Sequence, residues 1–359
     1  MLIYIINIIL LLFYSTIYIF MPKTKLSKFV FICLSFGQTF LLYAFRSKYV
    51  GTDTLSMATA YASTNFSRIS AYMEVKAPLY YLLRDIFHIF IPTEQGYMIL
   101  CGIFIVGGTA LYIARNSKNI ILSTFLFFSL YFFFQSMNVA RKFIAIVLAA
   151  NGLVFVSENK KLPAFIWMMS ALFIHSTAII LLPFLGLLFI KKIFYRRIFM
   201  FGYCMALITF SPLISLFTSL FPVYDSLYIS SGSLYQIGKN RKVVLTLFYM
   251  FLFVCTWISY FKLKKKQTLQ ENNQWEFYLC CLACTIIIGF LALRSLLLTR
   301  MEYYFSFTLI LFIPLVLSKF NSRSKRILYL LTYLLTAIPG IFQFVANHGE
   351  ICPYLFFWE

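Results

Sequence analysis

Charged residues are scarce in this chain, and acidic residues are the scarcest of them. Only 12% of the 359 residues are charged, with 11 acidic against 31 basic side chains. Soluble domains carry about a quarter charged residues, so this composition excludes an ordinary soluble protein. Polar/apolar alternation is also missing from the apolar runs, which excludes a transmembrane β-barrel.

The chain is instead 62% hydrophobic, with a mean hydropathy of +0.85. A helix needs about 20 apolar residues to span a membrane, and helices satisfy their own backbone groups in lipid. We predict an all-α polytopic integral membrane protein, a single transmembrane domain over 1–359 with about 12 (11–13) transmembrane helices. The N-terminal run lacks a basic region and a cleavage site, so we expect a retained span. The predicted crossings are 2–21, 29–45, 96–114, 120–134, 143–156, 163–174, 178–190, 198–221, 243–261, 277–293, 303–317 and 327–345.

The net charge of +20 comes largely from short basic clusters between the apolar runs. This pattern is typical of cytoplasmic loops of membrane proteins, and we expect no nucleic-acid partner. The predicted cytoplasmic loops are 22–28, 115–118, 157–161, 191–197, 262–275 and 319–326. The predicted outer-face loops are the longer segments 46–95 and 222–242.

Two segments fit this topology less simply. YYLLRDIFHIF at 80–90 is too short and too polar for a span, and we predict an amphipathic helix near 79–91 in the outer interface. If it crosses instead, the number of helices becomes thirteen. The hairpin between Lys161 and Lys191 is also short, so its tip near His175 lies below the membrane surface or forms a re-entrant turn.

The eight cysteines do not form a pattern typical of a metal site. Cys280, Cys281 and Cys284 form CCxxC, but no second cysteine pair or histidine lies near them in the sequence. We interpret these cysteines as small apolar residues of a helix. No D-x-D pair is present either, so we expect no metal and no other cofactor.

Several arginines lie at the predicted outer ends of different helices, against the usual charge bias. Arginine binds phosphate with two hydrogen bonds and stays charged where the dielectric constant is low. A phosphate or diphosphate at the membrane surface is therefore one explanation, and contact with lipid headgroups is the other. The candidates are Arg46, Arg141, Arg294 and Arg300.

Two of these arginines lie in short outer turns. Arg141, in QSMNVARK (135–142), is at a predicted helix start, where a bound anion would offset the unfavourable electrostatics of a cation. Arg300, in TRMEYYF (299–305), could hold a diphosphate together with Arg294. A salt bridge between Arg300 and Glu302 is the alternative.

Candidate proton acceptors are Asp53, Glu74 and His175. Asp53 lies in RSKYVGTDTLS (46–56), where Gly51 is expected to allow a turn. An ordinary loop with an Arg46–Asp53 salt bridge is the alternative for this stretch. His175 is an ionisable residue at membrane depth, which indicates either function or a hydrogen-bonded structural group.

Five motifs together resemble one family. They are RSKYVGTDT followed by Tyr61, EVKAPLYYLL, MNVARKFIAIVL, ALFIHSTAIILLP and TRMEYYF. In this order they resemble Wzy-type polysaccharide polymerases, particularly the EpsG-like branch, although Lys142 and EVKAP depart from the commoner pattern. The resemblance implies a GT-C-like fold in the bacterial inner membrane, with the active site facing the periplasm. It implies transfer of a growing glycan from undecaprenyl diphosphate to a hydroxyl of a lipid-linked repeat unit.

The resemblance also suggests roles for the candidate residues. The four arginines would bind diphosphate, and Asp53, Glu74 or His175 would activate the acceptor. Glycan contacts are expected from Tyr61, Asp225, Tyr228, Tyr235, Tyr303 and Tyr304. Expected partners are the undecaprenyl-diphosphate-linked donor and acceptor, membrane lipids and a chain-length regulator. An O-antigen ligase and a lipid-linked oligosaccharide flippase are the alternatives. We expect Arg46 and Asp53 to share one outer pocket with Arg141, His175 and Arg300.

Overall fold

The computed structural model describes residues 1–64, 77–190, 192–220, 232–293 and 296–359. Within these ranges, the side chains of 210–220, 232–241, 266, 296–297, 299 and 322–323 lie outside the description. The chain is helical almost throughout the described ranges. The helices are α1 Leu2–Phe20, α2 Lys25–Ala44, α3 Thr54–Ala62, α4 Pro78–Phe90, α5 Glu94–Asn116, α6 Ile120–Ser129, α7 Phe132–Asn138, α8 Ala140–Ser157, α9 Lys161–Ile174, α10 Leu182–Gly186, α11 Ile193–Leu220, α12 Gly232–Leu263, α13 Leu269–Leu291, α14 Leu296–Ser306, α15 Leu309–Ser318 and α16 Ser322–Val345. A π turn, Ile103–Gly107, interrupts α5, and 3₁₀ turns occupy Ser176–Leu181 and Lys264–Lys266.

Eight helical segments in the described ranges are long and apolar enough to cross a membrane. They are Leu2–Phe20, Lys25–Ala44, Glu94–Asn116, Ala140–Ser157, Lys242–Leu263, Leu269–Leu291, Arg300–Ser318 and Ser324–Val345. A ninth span results if α6 and α7, which are bent by 48° relative to each other, count as one. The chain is therefore a multi-pass α-helical membrane protein, but the predicted number of about 12 spans is wrong.

The difference lies between 161 and 220. Helix α9 has 14 residues, which corresponds to about 21 Å, whereas the apolar part of a bilayer is about 30 Å thick. The segment after it, Ser176–Gly186, is also too short to be a candidate span. Helix α11 has 28 residues, but its side chains from 210 onward lie outside the description and it is not among the candidates.

The structure confirms a helix at the position of the predicted amphipathic segment. Helix α4 has 13 residues, about 20 Å, so it is too short to cross. Tyr80 and Asp85 are buried, whereas Leu82, Ile86 and Ile89 are exposed. Apolar side chains exposed on a short helix are compatible with a position in the membrane interface.

Two helices begin with a capping box. The Thr24 side chain accepts a hydrogen bond from the backbone of Ser27 before α2, and the serine hydroxyl accepts one in return. Thr268 and Glu271 form the same motif before α13. Such reciprocal bonds satisfy N–H groups at a helix start and fix where the helix begins.

Contacts divide the chain into two compact units. The first consists of Met1–Ala149, Met169–Ser176 and Ser322–Glu359. Its core is rich in aromatic rings. Phe134 is central, with its ring centroid 5.3 Å from those of Tyr4, Phe133 and Phe344. Edge-to-face pairs of this kind add to the apolar burial and favour one packing arrangement.

The second unit consists of Ala150–Met168 and Thr177–Asn321. Helix α13 packs there against α11, α12 and α14. Gly289 allows close contact with α12, because a Cβ atom at this position would lie 2.6 Å from the Thr246 hydroxyl. Around Phe184, ring centroids of Tyr203 and Phe277 lie at 5.2 and 5.6 Å.

Candidate functional site

The Gly51 loop, residues 45–53, connects α2 to α3 and is bonded to the C-terminal tail, residues 346–359. Arg46 forms an isolated antiparallel bridge with Phe356. Three backbone N–H groups of the loop donate to backbone carbonyls of the tail. Ser47 donates to Leu355 at 2.8 Å, Gly51 to Glu350 at 3.1 Å and Thr52 to Gly349 at 3.2 Å. In the reverse direction, Phe357 donates to the Phe45 carbonyl at 2.9 Å. These bonds pair backbone groups that would otherwise need water, so they define the loop conformation.

Gly51 is required by this conformation. Its φ is +101°, in a region that L side chains rarely adopt. A Cβ atom would also lie 2.9 Å from the Met137 carbonyl oxygen and 2.7 Å from the Thr54 hydroxyl. The turn expected at Gly51 is therefore present, and it allows the loop to contact the residues before α8.

Those residues form the hairpin tip, 135–142, which carries Arg141. The Asn138 side-chain oxygen accepts hydrogen bonds from the Thr52 hydroxyl and from the Asp53 N–H, the latter at 3.0 Å. The Thr54 hydroxyl donates to the Met137 carbonyl at 2.9 Å. The structure therefore joins the segment containing Arg46 and Asp53 directly to the segment containing Arg141.

Arg46 is fully buried, with 0% of its surface exposed. None of its three side-chain nitrogens has a hydrogen-bond partner among the residues that the structure describes. The Arg46–Asp53 salt bridge of an ordinary loop is therefore not formed. Burying a charge without a partner is unfavourable, so a bound anion would supply what the protein does not.

The Tyr43 ring lies against the Arg46 guanidinium. The guanidinium lies 4.3 Å from the ring centroid of Tyr43, which attracts a cation through its face. Tyr4, Tyr97 and Tyr354 also lie within electrostatic range of its charge. Tyr354, in the tail, donates to the Leu42 carbonyl at 2.9 Å. Burial raises the pKa of Tyr354 and the Arg46 charge opposes this rise.

Arg141 lies in the first turn of α8, where the helix dipole disfavours a cation. It is half-buried, and its guanidinium lies 5.3 Å from the ring centroid of Tyr80 in α4. Burial raises the pKa of Tyr80, and the charges of Arg141 and Arg84 both lower it. Tyr80 is therefore close to two arginines that come from different helices.

Arg84 and Asp85 are not among the site residues predicted from the sequence. Asp85 is 3% exposed, and its Oδ1 accepts bonds from Arg84 Nε at 2.7 Å and from Arg84 Nη2 at 2.6 Å. The Arg84 guanidinium also lies 4.8 Å from the Tyr81 ring centroid. A charged pair on a short apolar helix is the available signal, but the same pattern predicts the polar side of an interfacial helix.

Tyr61 is buried, and its hydroxyl donates to the Ile91 carbonyl at 3.0 Å. Burial raises its pKa to about 12, so the hydroxyl remains a donor. Nearby, Lys48 pairs with Glu94 at 2.8 Å, and this hydrogen-bonded carboxylate raises the pKa of the lysine. The structure gives Tyr61 a packing role, and its glycan contact stays a prediction.

His175 occupies the junction between α9 and the following 3₁₀ turn. It is half-buried, and its backbone N–H donates to the Ala171 backbone carbonyl at 3.0 Å. It belongs to the first unit, as do Arg46, Asp53 and Arg141. The short hairpin expected around His175 is therefore two short helical pieces, not two full crossings.

Arg300 belongs to the second unit and is exposed. Glu302 is not its partner, because the Glu302 carboxylate forms a buried ion pair with Lys242 of α12. The suggested Arg300–Glu302 salt bridge is therefore absent. Tyr304 is buried, and its hydroxyl is hydrogen-bonded to that of Thr177 at 3.1 Å, while Tyr303 is half-buried. The buried Lys242–Glu302 pair was missed from the sequence because its members are 60 residues apart.

Other predicted site residues lie outside the described part of the chain. They are Glu74, Asp225, Tyr228 and Arg294, together with the side chain of Tyr235. Their roles stay predictions.

A cavity of about 390 Å³ in the second unit contains none of the predicted site residues. Its lining includes Glu158, Arg196 and Asn273, from loops predicted to be cytoplasmic. Among the described residues, one group of side chains has metal-binding spacing, namely Cys204, Cys280 and Cys284. Cys204 lies far from CCxxC in the sequence, so the neighbours of that motif do not reveal it.

Comparison with known proteins gives one match. The model of the EpsG family matches residues 29–356. This range includes the Gly51 loop, the hairpin tip, His175, Arg300 and most of the C-terminal tail. Neither the curated proteins nor the solved structures include a match to this chain.

Proposed function

Since this chain belongs to the EpsG family, which is associated with exopolysaccharide biosynthesis, we propose that it is a polysaccharide polymerase. In this proposal, the donor is a growing glycan on undecaprenyl diphosphate, and the acceptor is a lipid-linked repeat unit. The site faces the periplasm of a bacterial inner membrane, and a chain-length regulator is a further partner. No metal or other cofactor takes part.

One observation carries the proposal. The Gly51 loop, which contains a buried arginine with unused donors, is bonded to the hairpin tip, which contains a second arginine near a helix start. Both Arg46 and Arg141 are in environments that an anion would improve. Guanidinium groups suit phosphate oxygens because they donate two parallel hydrogen bonds.

The reaction uses these groups as follows. A base removes the proton from an acceptor hydroxyl, whose oxygen attacks the anomeric carbon of the donor. The bond from that carbon to the diphosphate oxygen breaks, and undecaprenyl diphosphate leaves with the electron pair. Arg46 and Arg141 would stabilise the negative charge that develops on the leaving group. The diphosphate-binding roles of Arg294 and Arg300 stay predictions. Asp53 is one candidate base, and its backbone N–H is bonded to Asn138 of the hairpin tip. Glu74 and His175 are the other candidates for accepting the proton of the acceptor hydroxyl.

The test uses purified protein in lipid vesicles, supplied with the lipid-linked repeat unit extracted from the source cells and with no nucleotide sugar. The proposal expects a ladder of products that grow by whole repeat units. In a parallel sample that also contains a lipid A–core acceptor, a single transfer to that acceptor would identify a ligase. Movement of the lipid across the bilayer without elongation would identify a flippase. Either result without a ladder overturns the polymerase proposal.

A matched pair of variants connects the ladder to the site. Arg141→Ala should abolish the ladder while the protein remains folded and monodisperse. Arg115→Ala, in a predicted cytoplasmic loop, should leave the ladder unchanged. Equal activity of both variants would remove Arg141 from the diphosphate site.

A further inference from the structure

Three thiols from two helices of the second unit form a cluster that the polymerase reaction does not use. Cys280 and Cys284 lie one turn apart on α13 and therefore share a face. Cys204 of α11 packs against that face, with its sulfur 3.9 Å from the sulfur of Cys284. All three sulfur atoms lie within 4.8 Å of one another.

This spacing is close to that of thiolates on a single metal ion. A zinc–thiolate bond is about 2.3 Å long, so two sulfurs of a tetrahedral site lie about 3.8 Å apart. The sulfur atoms of Cys204 and Cys284 are 3.9 Å apart, which is close to this distance. Small side-chain rotations would bring Cys280 to the same distance, since its sulfur lies within 4.8 Å of the other two.

We propose that Cys204, Cys280 and Cys284 bind a thiophilic divalent d¹⁰ metal ion of the zinc type. On binding, the three thiols lose their protons to solvent and coordinate as thiolates, because the thiolate is the form of cysteine that binds a metal ion. The complex of one divalent ion with three thiolates then carries one net negative charge. Cysteine sulfur is the ligand type that such ions prefer.

The proposed ion would link α11 to α13. Its ligands come from both helices, so it would bind the folded protein much more tightly than the unfolded chain and stabilise the fold. The competing explanation is that the three cysteines only pack as small apolar groups. This inference does not rest on the proposed polymerase function.

The chain offers a matched control for the test. Cys281 is also buried on α13, but it is not part of the three-thiol cluster. Cys281→Ala should therefore remove a buried thiol without removing a ligand. Cys204→Ala and Cys284→Ala each remove one ligand.

The experiment titrates Cd²⁺, a spectroscopically visible substitute for zinc, into the reduced full-length protein in detergent. Wild type and Cys281→Ala should bind one Cd²⁺ per chain, with a thiolate charge-transfer absorption and a higher melting temperature. Cys204→Ala and Cys284→Ala should lose both signals, with affinity reduced by more than the roughly 10- to 100-fold typical of a lost outer-shell partner. The inference is overturned if wild type shows no such absorption, or if the Cys204→Ala variant retains it.

A second measurement on wild type alone covers the case in which a variant does not fold. During heating through the melting transition, where the buried thiols become reactive, bound Cd²⁺ should delay the alkylation of Cys204, Cys280 and Cys284, as read by mass spectrometry of the peptides. Exposed Cys33 should be alkylated equally with and without Cd²⁺. Equal alkylation of the three clustered cysteines under both conditions would exclude the site.

Discussion

The side-chain oxygen of Asn138 accepts a hydrogen bond from the backbone N–H of Asp53, at 3.0 Å and across 85 residues of sequence. The same oxygen accepts a bond from the Thr52 hydroxyl. One acceptor therefore joins the Gly51 loop to the hairpin tip, and with it the segments of Arg46 and Arg141. This arrangement makes the contribution of a single oxygen atom testable.

Asn138→Ala removes that acceptor and should separate the loop from the tip. The Asp53 N–H is only partly buried, so losing this bond should cost about 0.5–1.5 kcal/mol, and we expect a lower melting temperature together with a weaker ladder. Asn138→Asp retains an acceptor oxygen and should preserve both properties better than the alanine variant. If the alanine variant elongates the glycan at the wild-type rate, the hydrogen bonds of Asn138 to the Gly51 loop are not needed for activity.

Gly51→Ala tests the loop conformation itself. A methyl group would be placed 2.9 Å from the Met137 carbonyl oxygen, at a backbone φ of +101°. We expect a loss of about 1–3 kcal/mol in stability, as for other strained backbone positions, and a strong reduction of the ladder. Gly37→Ala is the control, because nothing lies within 4 Å of a Cβ atom there and alanine favours a helix over glycine. Similar melting temperatures for the two variants would contradict this account.

The sequence predicted much of the helical framework. Long apolar runs predicted the spans that the structure shows at Leu2–Phe20, Glu94–Asn116 and Leu269–Leu291, because apolar length alone decides whether a helix can cross. The count was too high between 161 and 220, where apolar composition does not reveal that a helix stops after 14 residues. Pro163 and Pro183 lie in the first turns of α9 and α10, where proline is tolerated, so they mark helix starts and do not show where α9 ends.

The candidate site was predicted less completely. Gly51 and the closeness of the Arg46 and Arg141 segments were expected, because glycine in a charged turn is a local signal and the motifs were considered as a set. The C-terminal tail was not expected to cover this loop. It does so through backbone bonds between residues about 300 positions apart, such as Ser47 to Leu355, and any side chain permits such bonds. The Lys242–Glu302 pair was missed for a similar reason.

The Lys242–Glu302 pair should be important for stability and largely replaceable. The two side chains are only 5% and 1% exposed, so Glu302→Ala leaves a buried ammonium group without its carboxylate and should cost about 3–5 kcal/mol. The double variant Lys242→Met/Glu302→Leu removes both charges and should recover most of that loss. A more accessible pair, exposed Lys160 with half-buried Glu158, should change stability by about 1 kcal/mol or less when Lys160 is replaced by alanine.

Melting temperatures of the four proteins in the same detergent give the comparison. The interpretation of a buried, mutually dependent pair is wrong if the double variant is less stable than Glu302→Ala. It is also wrong if the Lys160→Ala control is destabilised as much as the Glu302 variant.

Arg46 provides the sharpest distinction between a structural and a functional residue. A structural arginine forms hydrogen bonds, whereas the three side-chain nitrogens of Arg46 have none among the described residues. Arg46→Met removes a buried charge and keeps an apolar chain of similar length. The contact with the Tyr43 ring is worth about 2 kcal/mol when desolvated, and relief of the buried charge should at least offset its loss.

We therefore expect Arg46→Met to melt at the same temperature as wild type or higher, and to produce no ladder. Arg46→Lys keeps the charge but lacks the planar fork, so it should elongate more slowly than wild type and faster than the methionine variant. A methionine variant that unfolds several degrees earlier would assign Arg46 to the fold. One that elongates normally would remove it from the diphosphate site. If Arg46 serves to bind an anion, the methionine variant should keep its stability and lose its activity. Residues that serve function are often unfavourable for folding.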